Sequence, residues 1–226
     1  MLKGRVVSVN DLTVRQIKKM YSIMTEYYNN ITESNFFSDL LKKVDVVLLC
    51  DGDGDIHGFT TLAIFPRDAH TQLLFSGDTI IEKAYWGKND LQQTWVTNAI
   101  AHAERFHGKT YWLLLSKGYK TYKYLPTFFN AFYPCVDTGT PQEIQAIMDS
   151  FAIEQFGDKY QNGVFVEGKD FLKEDFADIG DMQLKDKNTA FFLDKNPNYV
   201  KGNELVCIAE LSLDNLNRLG RRALGR

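Results

Sequence analysis

The amino-acid sequence predicts an α/β fold in which helices flank a mixed, mostly antiparallel central sheet. In residues 44–65, two apolar runs enclose a turn rich in Asp and Gly, which is typical of an antiparallel hairpin. Residues 72–134 predict a long strand, a helix, a buried strand and an aromatic-rich helix. This order brings a helix N-terminus and the carboxyl ends of two strands together, where open α/β sheets tend to bind ligands. We therefore expect a site near the corner that follows the long strand.

The composition is that of a folded protein with mixed surface charge. The 226 residues are 44% hydrophobic and 13% aromatic, which suffices for one large domain or one domain with an elaboration. The formal net charge of -3 argues against a polyanion-binding surface, so nucleic acid is not an expected partner. No apolar run reaches the roughly 18 residues of a membrane span, and the first residues lack the apolar run of a signal peptide. We expect a cytoplasmic protein with no membrane partner.

The sequence predicts neither disulfides nor a metal site. The three cysteines, Cys50, Cys135 and Cys207, are far apart and form no CxxC pair, as expected of thiols in a reducing compartment. The acidic turn at residues 51–55 alternates carboxylates like the start of a calcium loop. However, strands flank it and the distal Glu of such a loop is missing, so the hairpin interpretation is favoured.

The first 65 residues predict a strand, two covering helices and the hairpin. Residues 5–8 form a short strand candidate, and apolar residues then recur at spacings of three and four between Val14 and Tyr28. A second helix is predicted to begin within residues 32–34. Both helices are expected to cover the sheet.

Two structures remain open for residues 71–86. They predict either one strand with a bulge at Gly77 or two strands joined by a Gly77-Asp78 turn. Asp90 and Gln93 resemble a capping box at the start of a helix over residues 90–107. Residues 110–115 lack alternation, as a strand covered on both faces does.

Residues 1–226 are predicted to form a single domain in which residues 135–188 are an insertion. The insertion contains one clear helix, residues 141–156, followed by loops. Apolar runs at 190–193 and 205–209 predict a C-terminal β-hairpin over about residues 190–210, followed by a short tail.

This order of elements resembles the acyl-CoA N-acyltransferase superfamily, the fold of the GCN5-related N-acetyltransferases. The residues that carry the resemblance are the 44–65 hairpin, the 73–86 strand, the 90–107 helix, the 111–115 strand and the 119–134 segment. The resemblance implies an acyltransferase-like domain that moves an acyl group, typically acetyl, from a coenzyme A thioester to an amine by direct attack. Acetyl-CoA or another acyl-CoA would be the co-substrate, and a small-molecule or peptide amine the acceptor.

The resemblance places the coenzyme A pyrophosphate at the corner between the fourth strand and the third helix. The family pattern there is Gln/Arg-x-x-Gly-x-Gly/Ala, whereas this chain has one glycine and an acidic Asp90 that would repel phosphate, so the loop is degenerate. A lysine near the fifth strand would meet the adenosine 3′-phosphate. The implied cofactor-binding residues are Tyr85, Trp86, Gly87, Lys88, Asn89 and Lys117.

The resemblance also implies a proton donor and a base. The family's tyrosine acid aligns with Phe128, which cannot donate a proton, so Tyr122 or Tyr124, about one turn upstream, would substitute. The base candidates are Asp78 and Glu82, whose even offset puts them on one face of an unbroken strand, where burial would raise the pKa. Core tyrosines and turn carboxylates are the structural alternatives.

Two other functions stay open. The degenerate loop and Phe128 favour a noncatalytic protein that keeps the fold, and a ligand, without the chemistry. An interaction module is the other alternative, in which the helix at 141–156 and the aromatic segment at 119–133 pair with a second copy as a homodimer.

Overall fold

A computed structural model of the chain describes residues 2–88, 90–166, 179 and 181–225. The strands are β1 (Lys3–Ser8), β2 (Asp45–Cys50), β3 (Ile56–Pro66), β4 (Thr71–Ile81), β5 (Lys109–Ser116), β6 (Tyr160–Gln161), β7 (Val164–Phe165) and β8 (Glu204–Glu210). The helices are α1 (Val14–Tyr27), α2 (Glu33–Leu40), α3 (Asp90–Arg105), α4 (Tyr119–Tyr122), α5 (Tyr124–Phe128), α6 (Gln142–Phe156), α7 (Asp181–Leu184), α8 (Lys187–Lys195) and α9 (Arg218–Ala223).

The strands form one eight-stranded sheet in the order β1-β2-β3-β4-β5-β8-β7-β6. Within the described residues, β4 and β5 are the parallel neighbours, and every other neighbouring pair is antiparallel. Helix α3 makes the crossover between β4 and β5, as parallel neighbours require. The predicted fold class, a mixed and mostly antiparallel sheet flanked by helices, is confirmed.

Helices cover both faces of the sheet. Helix α3 packs on one face with α5 and α8, where Trp95 of α3 lies against Trp112 of β5 with ring centroids 4.4 Å apart. On the other face, α1 and α2 cover the β2–β3 half and α6 covers the β5–β8 half. The space between α2 and α6 leaves the middle of this second face less covered.

Strand β4 is unbroken and carries a bulge. Gly77 and Asp78 lie opposite the single residue Thr61 of β3, because the register shifts by one between the flanking pairs. The bulge interpretation is therefore correct, and the Gly77-Asp78 turn is not formed. The extra residue reverses which side chains point to which face, so strand alternation does not extend across it.

The helical segment that contains Pro126 is divided into two short helices, which is one of the two forms that the sequence allowed. Helix α4 ends before Lys123, and Pro126 lies in the first turn of α5. Most aromatic residues of this segment, including Tyr122 and Phe128, are buried in the chain's own core, whereas Tyr124 and Tyr133 are partly exposed. Helix α6 likewise buries Phe151 on its own sheet. Ile153 of the same helix is exposed, and pairing of this helix and the aromatic segment with a second copy stays a prediction.

The predicted hairpin at residues 190–210 is wrong in its first strand. Residues 190–193 lie inside α8, where the Asp186 side chain accepts a hydrogen bond from the Thr189 amide at 2.9 Å and caps the helix. The second strand exists as β8, but it pairs with β5 and β7. Short apolar runs fit helix and strand equally well, which explains the error.

The insertion adds more than loops to the sheet. Its helix, α6, is confirmed, and its β6–β7 hairpin extends the sheet beyond β8. Residues 167–178 and 180 of the predicted insertion lie outside the described residues. The division into one domain with an insertion stays a prediction.

The described part of the chain contains neither a membrane-spanning helix nor a metal-binding cluster. None of its helices combines the length and apolar character needed to cross a bilayer. Nor does the described part contain three or more His, Cys, Asp or Glu side chains arranged to hold a metal ion.

Candidate functional site

A gap between β4 and β5 organises the candidate site. The two strands pair from Thr71 and Lys109 up to Ser76 and Leu114, and then separate. Beyond that point β4 stays paired with β3 up to Ile81, and β5 stays paired with β8. The edge of β4 that faces the gap is thus not covered by β5, so its peptide groups are available to a ligand.

A cavity of about 320 Å³, here called the aromatic cavity, occupies the mouth of this gap. It lies between the end of α1, the end of β4 and the start of α4. Its lining residues are Tyr27, Tyr28, Thr79, Ile80, Ile81, Trp86, Gly87, Gly118, Tyr119, Lys120, Thr121, Tyr124 and Tyr199. The ring-rich lining suits a ligand with apolar stretches, and Lys120 adds a positive charge.

Trp86 and Lys120 meet across the mouth of the aromatic cavity. The Trp86 indole N–H donates a hydrogen bond to the Ile81 carbonyl at 2.8 Å, which fixes the ring beside the end of β4. Lys120 Nζ lies 3.6 Å from the centroid of that ring, in cation–π contact. Burial, with Lys83 nearby, lowers the pKa of Lys120. An anionic ligand would oppose the effects of burial and of Lys83, because a nearby negative charge stabilises the protonated Lys120 ammonium.

A second cavity of about 350 Å³, here called the charged cavity, lies on the face of the sheet between α2 and α6. Charged side chains and phenylalanine rings both line it. Its lining includes Tyr28, Asp39, Lys42, Lys43, Phe65, Phe75, Gly77, Asp78, Thr79, Lys117, Thr121, Phe151, Phe156 and Glu204.

Asp78 is an acidic group of the charged cavity whose pKa is strongly raised. Burial, followed by repulsion from Asp39, raises its pKa to about 6, although Lys43 and Lys117 act in the opposite direction. Among the described residues, its carboxylate makes no hydrogen bond or ion pair. A half-buried carboxylate with such a pKa can accept a proton near neutral pH.

The other charges of the charged cavity are arranged in pairs. Lys43 Nζ lies 3.0 Å from Asp39 and 5.0 Å from the centroid of the Phe75 ring. Its side chain is only 5% exposed, so the carboxylate compensates a nearly buried ammonium. Lys117 Nζ lies 3.3 Å from Glu204.

The aromatic and charged cavities share a boundary. Tyr28, Thr79 and Thr121 line both of them. Thr79 belongs to the bulged part of β4, and the Asp78 carboxylate acts electrostatically on Tyr28, so the boundary lies near both the bulge and this carboxylate. Two ligands, one in each cavity, would therefore meet next to Asp78.

A third and much smaller space, here called the inner chamber, lies under α3 and has a volume of about 20 Å³. Tyr124 lines both this chamber and the aromatic cavity, and its hydroxyl accepts a hydrogen bond from Gln92 Nε2 at 2.8 Å. Two buried atoms of chamber-lining side chains, Gln92 Oε1 and Trp95 Nε1, have no hydrogen-bond partner in the described structure. The chamber is large enough for one water-sized group that could satisfy them.

The choice of Glu82 as a base candidate assumed that burial raises its pKa, and this assumption is wrong. Glu82 follows the last residue of β4, and its carboxylate accepts from Lys19 Nζ at 2.9 Å and contacts His57 Nδ1 at 2.8 Å. Burial acts to raise its pKa, but these hydrogen bonds outweigh it and lower the pKa. His57 also contacts Asp51 at 2.9 Å, so this cluster joins the hairpin turn to α1 and does not face either large cavity.

The two predicted tyrosines differ in position. Tyr122 is fully buried, and its hydroxyl donates to the Pro134 carbonyl at 2.9 Å. It lines neither large cavity as described, and burial raises its pKa far above the usual range. Tyr122 is therefore a core residue, whereas Tyr124 lies in the gap.

Some of the predicted cofactor residues line the aromatic cavity, and others lie outside it. Trp86 and Gly87 line the aromatic cavity, and Gly87 has φ of +83°, a conformation that glycine adopts without strain. Tyr85 packs on His57, with ring centroids 4.5 Å apart, and Lys88 lies over Tyr85, outside the described lining. Lys117 lines the charged cavity, and its assignment to the adenosine phosphate stays a prediction. Asn89 lies outside the described residues.

Sequence reasoning missed several lining residues. Tyr28, Lys43 and Asp39 come from the first 43 residues, which the pattern indicated only as sheet-covering helices. Lys120 belonged to the lysine cluster at 117–123, but nothing in the sequence separated it from Lys117 or Lys123.

Comparison with known proteins gave structural matches alone. No family model and no curated protein sequence matches the chain. Among solved structures, it is similar to the GNAT family N-acetyltransferase YhbS from Escherichia coli in complex with CoA, at 11% identity and a TM-score of 0.39, over 52% of this chain and 64% of that one. It is similar to a probable N-acyltransferase from Enterococcus faecalis, at 13% identity and a TM-score of 0.43, over 57% of this chain and 33% of that one.

A third similar structure is NAA60 from Arabidopsis thaliana in complex with acetyl-CoA. The identity is 11% and the TM-score 0.42, over 58% of this chain and 87% of that one. The chain thus spans less than two thirds of the first two proteins that it matches. These matches belong to the class that the sequence resembles, N-acetyltransferases and N-acyltransferases.

Proposed function

We propose that the protein transfers an acyl group from a coenzyme A thioester to an amine. The observation that carries this proposal is the boundary shared by the aromatic and charged cavities, which lies beside Asp78 where β4 and β5 separate. Acyl transfer by direct attack needs two substrates that meet end to end, with a base at the junction. The two adjoining cavities and the Asp78 carboxylate support this proposal.

The aromatic cavity is the proposed position of the thioester arm. Its ring-rich walls suit the apolar stretches of a pantetheine chain, and the free edge of β4 offers peptide groups to the amides of that chain. Lys120 would contact a phosphate at the mouth. Gly87 would let the backbone approach closely, because a side chain is absent there and open space surrounds it.

Asp78 is the proposed base. The ammonium of the acceptor would give one proton to the Asp78 carboxylate, and the nitrogen lone pair would then form a bond to the thioester carbonyl carbon. The carbon–sulfur bond breaks, the thiolate leaves with its electron pair, and the nitrogen loses its second proton to solvent as the neutral amide forms. With a pKa of about 6, Asp78 is mostly ionised at pH 7 and can accept the proton.

Tyr124 is the proposed proton donor to the leaving thiolate. Its oxygen already accepts from Gln92 Nε2, so the phenolic hydrogen is directed elsewhere. Burial raises the pKa of Tyr124, which keeps the phenol protonated at neutral pH. The proton that Tyr124 gives up returns from solvent.

A noncatalytic protein that binds coenzyme A is the second candidate. Asp90, in the first turn of α3, favours it, because a carboxylate at a helix N-terminus weakens phosphate binding there. Such a protein would bind coenzyme A without consuming the thioester. A homodimer stays a prediction for either function.

The test is release of free thiol from acetyl-CoA with a panel of amines, for the wild type, Asp78→Asn and Asp53→Asn. Asp53 is an exposed residue of the hairpin turn and serves as the matched control. We expect thiol release that falls at least 100-fold in Asp78→Asn, the usual range for loss of a general base, and is unchanged in the control. Binding of coenzyme A, with no thiol released from acetyl-CoA in the presence of any amine, would support the noncatalytic alternative.

A further inference from the structure

The charges that line the charged cavity do not all cancel within the protein. Six charged side chains line it, and two ion pairs, Lys43 with Asp39 and Lys117 with Glu204, account for four of them. The remaining two are Asp78 and Lys42. Neither side chain makes an ion pair or hydrogen bond with any residue that the structure describes. The cavity thus presents one uncompensated negative group and one uncompensated positive group.

A ligand that complements this pair carries one charge of each sign. An amine without a carboxylate, such as a peptide N-terminus, would satisfy Asp78 but offer nothing to Lys42. A diamine would bring two positive charges to one carboxylate and would add repulsion from Lys42. A zwitterion satisfies both groups, and Lys42 is exposed enough to exchange water for a carboxylate at small cost.

Phenylalanine rings form the apolar wall of the same cavity. Phe151 of α6 lies with its ring centroid 5.2 Å from Phe65 and 6.1 Å from Phe75, and 6.4 Å from Phe156. Phe65, Phe75 and Phe156 remain partly exposed, so the ring cluster is not fully used by the protein's own core. Such a wall suits an apolar or aromatic side chain.

The size of the cavity sets the scale of the ligand. Its volume of about 350 Å³ is near the lower end of the roughly 300–1,000 Å³ of small-molecule sites. A small molecule is therefore a better fit than a folded or extended polypeptide.

From these observations, and resting on the proposed function, we propose that the acceptor is a zwitterionic amine of the α-amino acid type. Its ammonium group would face Asp78, its carboxylate would face Lys42, and an apolar or aromatic side chain would lie against the phenylalanine rings.

Calorimetric binding tests this inference without requiring turnover. The ligands are L-phenylalanine, L-phenylalaninamide, which lacks the carboxylate charge, phenethylamine, which lacks the carboxyl group, and L-alanine, which lacks the ring. We expect L-phenylalanine to bind at least tenfold more tightly than each of the other three. Equal or tighter binding of the amide or of phenethylamine, or no binding of any of the four, would overturn the inference.

Substitution of Lys42 provides a second test of the inference. Lys42→Gln should weaken L-phenylalanine binding about tenfold and leave phenethylamine binding unchanged. Lys18→Gln, at an exposed position of α1 outside the described cavity lining, should change neither affinity. Equal L-phenylalanine affinity in the Lys42→Gln variant and the wild type would contradict the inference.

The two proposals can fail separately. Thiol release that is fastest with amines lacking a carboxylate would keep the acyltransferase and remove the zwitterionic acceptor. The binding pattern above without any thiol release would keep the zwitterion site and remove the enzyme.

Discussion

Ser76 and Leu114 are the last residues of β4 and β5 that pair with each other. Both strands continue past this point, because β4 remains paired with β3 and β5 with β8. The parallel pair therefore opens while each strand is still held on its far side. This arrangement makes the gap a fixed feature of the sheet, and both cavities with their proposed ligands depend on it.

The two tyrosines of the α4–α5 segment should respond differently to loss of the hydroxyl. Tyr124→Phe removes the proposed proton donor, so kcat should fall about 10- to 100-fold. Tyr122→Phe leaves the Pro134 carbonyl without its donor, which should cost about 1–2 kcal/mol in the free energy of unfolding and leave kcat unchanged. Steady-state thiol release and urea denaturation measure the two effects. Unchanged kcat in Tyr124→Phe would remove the tyrosine from the mechanism.

Protonation of Asp78 should make the protein more stable at acidic pH than at neutral pH, where this buried carboxylate is ionised. Its pKa in the folded protein, about 6, lies above the ordinary value of 3.8, so the folded state binds more protons than the unfolded state between these values. Its contribution to stability is fully present below about pH 4 and is lost as the pH rises through 6. Asp78→Asn should therefore raise the free energy of unfolding by about 1–3 kcal/mol at pH 7.5 and by much less at pH 4.

Urea denaturation of the wild type, Asp78→Asn and the Asp53→Asn control at both pH values measures this effect. The ratio kcat/KM of the wild type should rise with pH through about 6, because Asp78 acts as a base only when it is ionised. A gain in Asp78→Asn that is equal at both pH values would show that ionisation of Asp78 is not its cause.

Lys120 should contribute to coenzyme A affinity. It lines the aromatic cavity, whereas Lys123 lies 3.4 Å from Asp186 and outside the described lining. Lys120→Gln should raise the Kd for coenzyme A about tenfold, or about 1.4 kcal/mol, because one phosphate contact is lost. Lys123→Gln is the matched control and should bind like the wild type. Isothermal calorimetry distinguishes the outcomes, and equal Kd values for both variants would argue against a phosphate at Lys120.

Glycine at the bulge should be needed for packing. A Cβ atom at Gly77 would lie 2.5 Å from Thr61 Oγ1 and 2.9 Å from Lys43 Nζ, both of which are buried. Gly77→Ala should therefore lower the free energy of unfolding by about 1–3 kcal/mol. At Gly52, in contrast, no atom lies within 4 Å of the added Cβ, so Gly52→Ala should change stability by less than about 0.5 kcal/mol. Equal urea midpoints for the two variants would contradict this packing account.

The parts of the fold with strong local patterns could be predicted from the sequence. The hairpin of β2 and β3, the crossover helix α3 and the buried strand β5 all rest on apolar periodicity and turn residues. The gap near Trp86 followed from their order. Helix α8 was missed because its apolar run of four residues is too short to distinguish helix from strand.

The site was harder to predict because its partners are distant in sequence. Glu82 had the right offset from Asp78, but the bulge at Gly77 breaks strand alternation, and His57 engages the Glu82 carboxylate from 25 residues away. Tertiary pairing of this kind leaves no local pattern. Asp78 and Tyr124, in contrast, lie on elements whose ends meet at the gap, so their positions could be anticipated.

The most direct test of the central claim is the free energy of unfolding with and without coenzyme A. If the gap between β4 and β5 holds the thioester arm, coenzyme A at about one hundred times its Kd should stabilise the protein by roughly 2.7 kcal/mol. Denaturation curves that coincide with and without millimolar coenzyme A would contradict the account.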